Sequence, residues 1–501
     1  MYLQINSKSS IKIWISAGFL LVFQAACSTT TTPELPQIVR TPDTSSAANV
    51  PSVADAKSNS FDLPALTSVT DTLVQQTFQK AKALVEQETN TKLSHVRLQI
   101  VTGANIQKEV KRETRRLVQS QFSDERYSEI FLNRMVNQQA SSYAALYTDQ
   151  GKRILVNSDL METYFRISEQ DAIPLDQALL ALLIHELVHA ADDKKYQIHK
   201  NRVMNFKVSF TQSAAFEGHA QLVTRKICTR QDCLRGMQAL ENFMFAPSNT
   251  SDPVLQSVQA ISRNVLEYSY IEGERFLTEL LKRPDGPALV DEVLRSPPED
   301  PIQILVPSTY PDKAREQRNR QLRQAVLESD HQWTKQPFRI VETSPIKGIN
   351  IRNHPERRSA AIEGFTRLIT AMESAQIYNQ SLGQITPIEL TLIEAENDDT
   401  ARMFAESFVQ HASTNTGLVT PASTQIQIPD ALAPNGIQPG LVMMFTPESG
   451  SDQSYGNNVM VALIGRHVLQ LNGSVDQPTE LWMDFAESVF SQLRSNQIRP
   501  N

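Results

Sequence analysis

Apolar positions along the chain keep different rhythms, and each rhythm predicts a different element. Between Ala65 and Glu88, Leu66, Val69, Leu73, Phe78, Ala81 and Leu84 return at near-helical spacing, which predicts an amphipathic helix. The stretch "SHVRLQIVTG" (94–103) alternates like a strand and ends in a glycine turn. "YAALYTDQGKRILVNSD" (143–159) reads as two strands around an Asp-Gln-Gly turn. A helix follows in which no polar face survives, "ALLALLIHELVHAADD", with Pro174 suited to its first turn. Further helical patterns cover 210–226, 231–243 and 254–282, before prolines and glycines cluster in "KRPDGP" and "RSPPEDP". The charged run "DKAREQRNRQLRQ" (312–324) reads as the solvated face of a helix.

Past that run the pattern changes. "FRIVET", "LVMMFT" and "NVMVALIGRHVLQLNG" read as strands, and "DDTARMFAESFVQHA" and "ELWMDFAESVFSQL" as amphipathic helices. The two helices share a short Met, Phe-Ala-Glu-Ser, Phe pattern, which two unrelated amphipathic helices can also produce. The expected fold class is therefore α+β: residues 61–325 form a mainly helical domain with a small N-terminal sheet, and residues 326–501 a separate α+β domain without assignable chemistry.

The first 60 residues belong to neither. Lys8 and Lys12 precede the apolar run "IWISAGFLLVF", and "QAAC" follows, the layout of a secretory signal over 1–27. Ala25, Ala26 and Cys27 resemble a bacterial lipobox, although Gln24 stands where that pattern has Leu or a similar residue. A lipid on Cys27 is the expectation, with an unlipidated secreted product or an uncleaved N-terminal membrane anchor as the alternatives. Ser28 beside it, rather than Asp, resembles outer-membrane sorting. Residues 28–60, rich in Ser, Thr, Pro and Ala, cannot bury enough apolar surface to order themselves and read as a tether. This address makes an oxidising compartment the expectation, in which Cys228 and Cys233 of "CTRQDC" close a small disulfide loop. A net charge of −7 over 501 residues leaves no basic footprint for nucleic acid.

Candidate chemistry sits in the helix that has no polar face. His185, Glu186 and His189 spell HExxH. With nine histidines and 55 carboxylates in the chain, about 0.02 chance matches are expected, so the motif carries weight without deciding the matter. Four residues bring His185 and His189 to one helix face, as two ligands of one ion must lie. Buried without partners, each polar group would cost about 1–3 kcal/mol, and a bound cation removes that cost. A catalytic zinc takes three protein ligands and leaves one position open. "AAFEGHAQLV" offers Glu217 and His219, which point to opposite sides of a helix; Glu217, embedded in apolar sequence and followed by the small Gly218, is the chosen third ligand. Glu272 of the second Glu-Gly pair is held in reserve.

HExxH with a Glu on a second helix resembles the gluzincin group of zinc metallopeptidases. From about Tyr143 to Tyr310 the chain is similar, more closely, to a family of bacterial secreted proteins carrying HELxHAxxDQ, a later EGxA and a PP…QIL-P-x-x-Y block. Lys194 replaces the Gln after Asp193, and Pro301 interrupts the last block; neither is a proposed ligand. The resemblance implies a zincin-like metallopeptidase domain over 61–325, one Zn2+ per chain held by His185, His189 and Glu217, and Glu186 as the base that activates water. It also implies a carboxylate role for Asp193 behind a ligand imidazole, for which a solvated helix end beside Asp192 is the competing reading. Tyr270, with Tyr268 beside it, is the candidate donor to the developing oxyanion, against an amphipathic core role; His199 and His219 are weaker candidates. The implied function is hydrolysis of a protein or peptide substrate in the bacterial cell envelope, on a lipid anchor at Cys27. A non-catalytic scaffold binding an envelope partner is the alternative, and hydrolysis of a non-peptide amide shares the same ligands.

Overall fold

A computed structural model of the chain describes residues 70–102, scattered positions from 104 to 115, and 144–148, 152–157, 175–198, 206–245 and 266–331. In the C-terminal part it describes 338–342, 368–379, 388–415, 424–425, 442–445, 457–474 and 479–497. The signal segment with Cys27, the 28–60 stretch, Pro174, residues 254–265 and His199 lie outside the described residues. The fold is mixed α+β.

Helix α1 (Asp71–Thr89) starts where the Thr70 hydroxyl accepts from the Leu73 N–H at 3.2 Å, and stops where Asn90 turns left-handed at φ 50°. Val74, Phe78, Ala81 and Val85 form its buried stripe, one helical turn apart. Three short strands follow: β1 (Arg97–Val101), β2 (Ala145–Thr148) and β3 (Arg153–Asn157). The expected hairpin is β2 antiparallel to β3, while β1 joins β3 in parallel, so among the described residues β2 lies at the sheet edge.

Helix α2 (Leu175–Tyr196) is the hub of this region, enclosed by α1, β2, α3 (Phe206–Gln231) and α4 (Leu234–Met244). Such enclosure needs apolar residues on every side of α2, which is why its sequence shows no amphipathic rhythm. Gly236 of α4 makes one wall possible: a Cβ there would stand 2.3 Å from the backbone nitrogen of Ala178. Cys228 and Cys233, 4.5 Å apart at Cα, are joined in a disulfide between the end of α3 and the start of α4. The long helical pattern after 254 is interrupted where it is described: Glu267–Glu272 winds as a π-turn before α5 (Gly273–Leu281). Helices α6 (Gly286–Arg295) and α7 (Pro301–Leu305) complete a second apolar cluster around Phe276, Leu277 and Val293.

Helix α8 (Lys313–Leu327) carries the charged run, and its N-terminal half is not a solvated face. Arg315, Glu316 and Asn319 are buried because each satisfies a backbone or polar group of neighbouring chain. Arg315 pairs with the buried Asp300 and donates to the Ile369 carbonyl; Glu316 accepts from Gln303 at 3.1 Å; the Asn319 side-chain oxygen accepts from the Met372 N–H at 2.9 Å. Leu322, Ala325 and Val326, further along, enter the C-terminal core.

That core is built on a seven-stranded antiparallel sheet of β4 (Phe338–Glu342), β5 (Ile369–Asn379), β6 (Ile388–Ala395), β7 (Thr424–Gln425), β8 (Val442–Phe445), β9 (Asn457–Ile464) and β10 (His467–Ser474), in the order β4-β5-β6-β10-β9-β8-β7. Side chains alternate between its faces. Met460, Ala462, Leu469 and Leu471 meet Trp482, Phe485 and Phe490 of α10 (Thr479–Gln497). Val459, Val461, Leu463 and Val468 meet Phe404 and Ala405 of α9 (Asp398–Asn415). Both faces are covered, which accounts for the nearly continuous apolar run in β9. Gly465, at φ 53°, supplies the tight two-residue turn into β10. Among the described residues, no helix is long and apolar enough to cross a membrane.

Candidate metal centre

Three side chains converge on one point between α2 and α3. His185 Nε2 lies 3.1 Å from Glu217 Oε2 and 3.1 Å from His189 Nε2, and His189 Nε2 lies 3.2 Å from the same carboxylate oxygen. The corners of a tetrahedron about 2.0–2.1 Å from its centre stand about 3.3 Å apart, so this nearly equilateral triangle has the size of three ligand atoms sharing one ion. Two imidazoles and a carboxylate are a donor set that divalent transition-metal ions take. These three residues can hold a metal ion. His185 and Glu217 are buried, whereas His189 keeps some exposure.

The electrostatics also call for positive charge here. Burial alone would raise the Glu217 carboxyl, yet the two facing imidazoles hold it well below the ordinary carboxylate range. Burial would lower His189, but the charge and hydrogen bond of Glu217, with Glu186 and Asp192 behind, push it up to about 9. Glu186 is raised, chiefly by burial and further by the neighbouring Glu217 charge. A site that draws a proton onto a buried imidazole is equally one that rewards a bound cation.

Glu186 sits beside the triangle without joining it. Its Oε2 accepts the main-chain N–H of Tyr147 at 2.7 Å, and no other donor among the described residues reaches the carboxylate. Tyr147 bonds α2 a second time: its hydroxyl donates to Asp193 Oδ2 at 2.9 Å. The neighbouring Asp192, buried, meets His219 Nδ1 at 2.8 Å, tying α2 to α3 beyond the ligands. Glu217 and His219 thus face different partners, as their two-residue spacing requires.

Gly218 lies between them because backbone must pass there. A Cβ at Gly218 would stand 2.2 Å from the Gly273 carbonyl carbon, and one at Gly273 would stand 2.1 Å from the Ala214 oxygen. This backbone-to-backbone contact brings the π-turn against α3. As a result the Tyr270 ring stacks on His185, centroids 5.5 Å apart and planes 15° from parallel. Tyr268, fully buried, donates instead to the Pro301 carbonyl at 3.1 Å, a packing role. Glu272 accepts from Arg275 at 2.7 Å and is not among the converging atoms.

Two features of this centre escape sequence reasoning. Tyr147 looks like any strand residue, since only β2's edge position exposes its N–H to Glu186. The Asp192–His219 pair joins residues 27 positions apart, and only its nearness to the HExxH and Glu-Gly motifs marks it. Comparison with protein-family models, curated proteins and solved structures found no match.

Proposed function

We propose that the chain is a zinc-dependent peptidase of the bacterial cell envelope, tethered through a lipid on Cys27 and acting on protein or peptide substrates. The observation that carries this reading is the triangle of His185, His189 and Glu217 with an uncoordinated Glu186 beside it. A bound zinc supplies Lewis acidity, which makes water acidic enough to ionise near neutral pH.

The chain's own residues do the rest. Glu186, its Oε2 anchored, takes the proton of the attacking water at Oε1 and returns it to the leaving amine. Water thus adds across the peptide bond: oxygen to the carbonyl carbon, hydrogen to the nitrogen as the C–N bond breaks. Tyr270, stacked on His185, is the candidate donor to the carbonyl oxygen. Gly218 and Gly273, by their contact, keep its ring there.

The test is Glu186→Gln, assayed on an unstructured protein such as casein. One zinc per chain should remain while turnover falls by about 10²–10⁴-fold. Turnover equal to the unaltered protein would remove Glu186 as the base. Full zinc with no turnover by the unaltered protein across broad substrates would favour a non-catalytic scaffold.

A further inference from the structure

The pairing of β2 with β3 sets which of its backbone groups are free. The Asn157 N–H donates to the Ala144 carbonyl, so Ala144, Leu146 and Thr148 point their backbone groups at β3, and Ala145 and Tyr147 point theirs away. Because β2 is the sheet edge among the described residues, the Tyr147 N–H meets no strand there; it meets the Glu186 carboxylate instead. The Tyr147 hydroxyl reaches Asp193 on the same helix. Glu186 and Asp193 are seven residues apart, about two turns and 10 Å along one helix face. One residue of the sheet edge is thereby fastened to α2 at both its backbone and its side-chain end.

We propose that Tyr147 is a positioning residue for Glu186: its N–H fixes one carboxylate oxygen, and the Tyr147–Asp193 bond fixes the strand from which that N–H points. A carboxylate free at both oxygens rotates about its last torsion. One held at Oε2 keeps Oε1 aimed, which is what proton transfer to and from a substrate demands. Asp193 on this account serves the base rather than a ligand, which gives the acidic end of "HAADD" a reason to oppose the helix dipole. The inference rests on Glu186 acting as the base.

Two readouts test it, one independent of turnover. Hydrogen exchange across 145–148 should show the Tyr147 amide protected although it lies on an outward edge. Tyr147→Phe and Asp193→Ala should each speed that exchange about fivefold or more, and Glu186→Ala should abolish the protection. In the zinc-loaded protein, Tyr147→Phe should lower kcat about 10–100-fold, with KM and zinc content within about twofold. The Tyr147→Phe, Asp193→Ala double variant should be no slower than either single one, because both act through one bond. A Tyr147 amide that exchanges freely in the unaltered protein would overturn the proposal. So would a Tyr147→Phe variant with full kcat where Glu186→Gln has lost it, or one that only melts earlier. Absence of turnover in the unaltered protein would count against the peptidase reading, while exchange would still decide whether Tyr147 holds Glu186.

Discussion

Helix α2 and the central strands β6, β9 and β10 of the C-terminal sheet are both packed on more than one side, yet they meet the problem of buried charge differently. In the sheet, Glu394 pairs with Arg466 at 2.5 Å, and Glu373 lies 3.7 Å from Arg323. Each buried carboxylate there is faced by a guanidinium that carries its own permanent charge. Around α2, the Glu217 carboxylate is faced by two imidazoles, whose positive charge has to come from a bound proton or a bound metal. The first solution is complete within the chain. The second leaves a positive charge to be supplied, and that difference separates a packing arrangement from a site.

The contrast can be broken most forcefully from the sheet side. Trp482 is fully buried, and Trp482→Ala should cost about 3–5 kcal/mol. Calorimetry should show the C-terminal transition lowered while zinc bound per chain stays the same; loss of zinc would mean the two cores are not independent. Chelation is the converse. Removing a metal present at 100–1,000 times its Kd should lower the stability of the helical region by about 3–4 kcal/mol and leave the sheet transition in place.

Acid sharpens the comparison a step further. Burial, with Arg466 beside it, pushes His467 down to about 4. Its folded pKa is below the unfolded value near 6.5, so between pH 6.5 and 4 the unfolded chain takes up a proton that the folded chain refuses. The C-terminal core should lose about 3 kcal/mol across that window and nothing above pH 7. Urea melts at stepped pH will show this slope, and His467→Gln should flatten it. The smallest effect belongs to the disulfide: opening the short Cys228–Cys233 loop with a double Ser variant should cost the helical region about 2 kcal/mol, read as a urea midpoint shift, without changing its metal content.

How much of this was legible in the sequence follows from how local each signal is. The near-helical return of Leu73, Phe78, Ala81 and Leu84, the β2–β3 hairpin and the all-apolar α2 are short-range patterns, and they appear as elements, although in α1 Val74 and Val85 rather than Leu73 and Leu84 are the fully buried positions. The convergence of His185, His189 and Glu217 is also local within each helix: a four-residue spacing on α2 and an acid in a greasy stretch of α3. What escaped depends on contacts distant in sequence. The parallel pairing of β1 with β3, the Tyr147–Glu186 bond and the π-turn under Tyr270 are consequences of how elements meet. The polar half of α8 misled for the same reason, because Arg315 and Asn319 answer to Asp300, Ile369 and Met372, which helical periodicity does not see.

Metal content of the purified chain, measured beside the Glu217→Ala variant, tests the central claim most directly. One zinc per unaltered chain, and a folded variant that has lost it, is the result the triangle predicts. A metal-free chain that keeps its stability in chelator, or a Glu217→Ala variant that holds zinc as tightly as before, would contradict it.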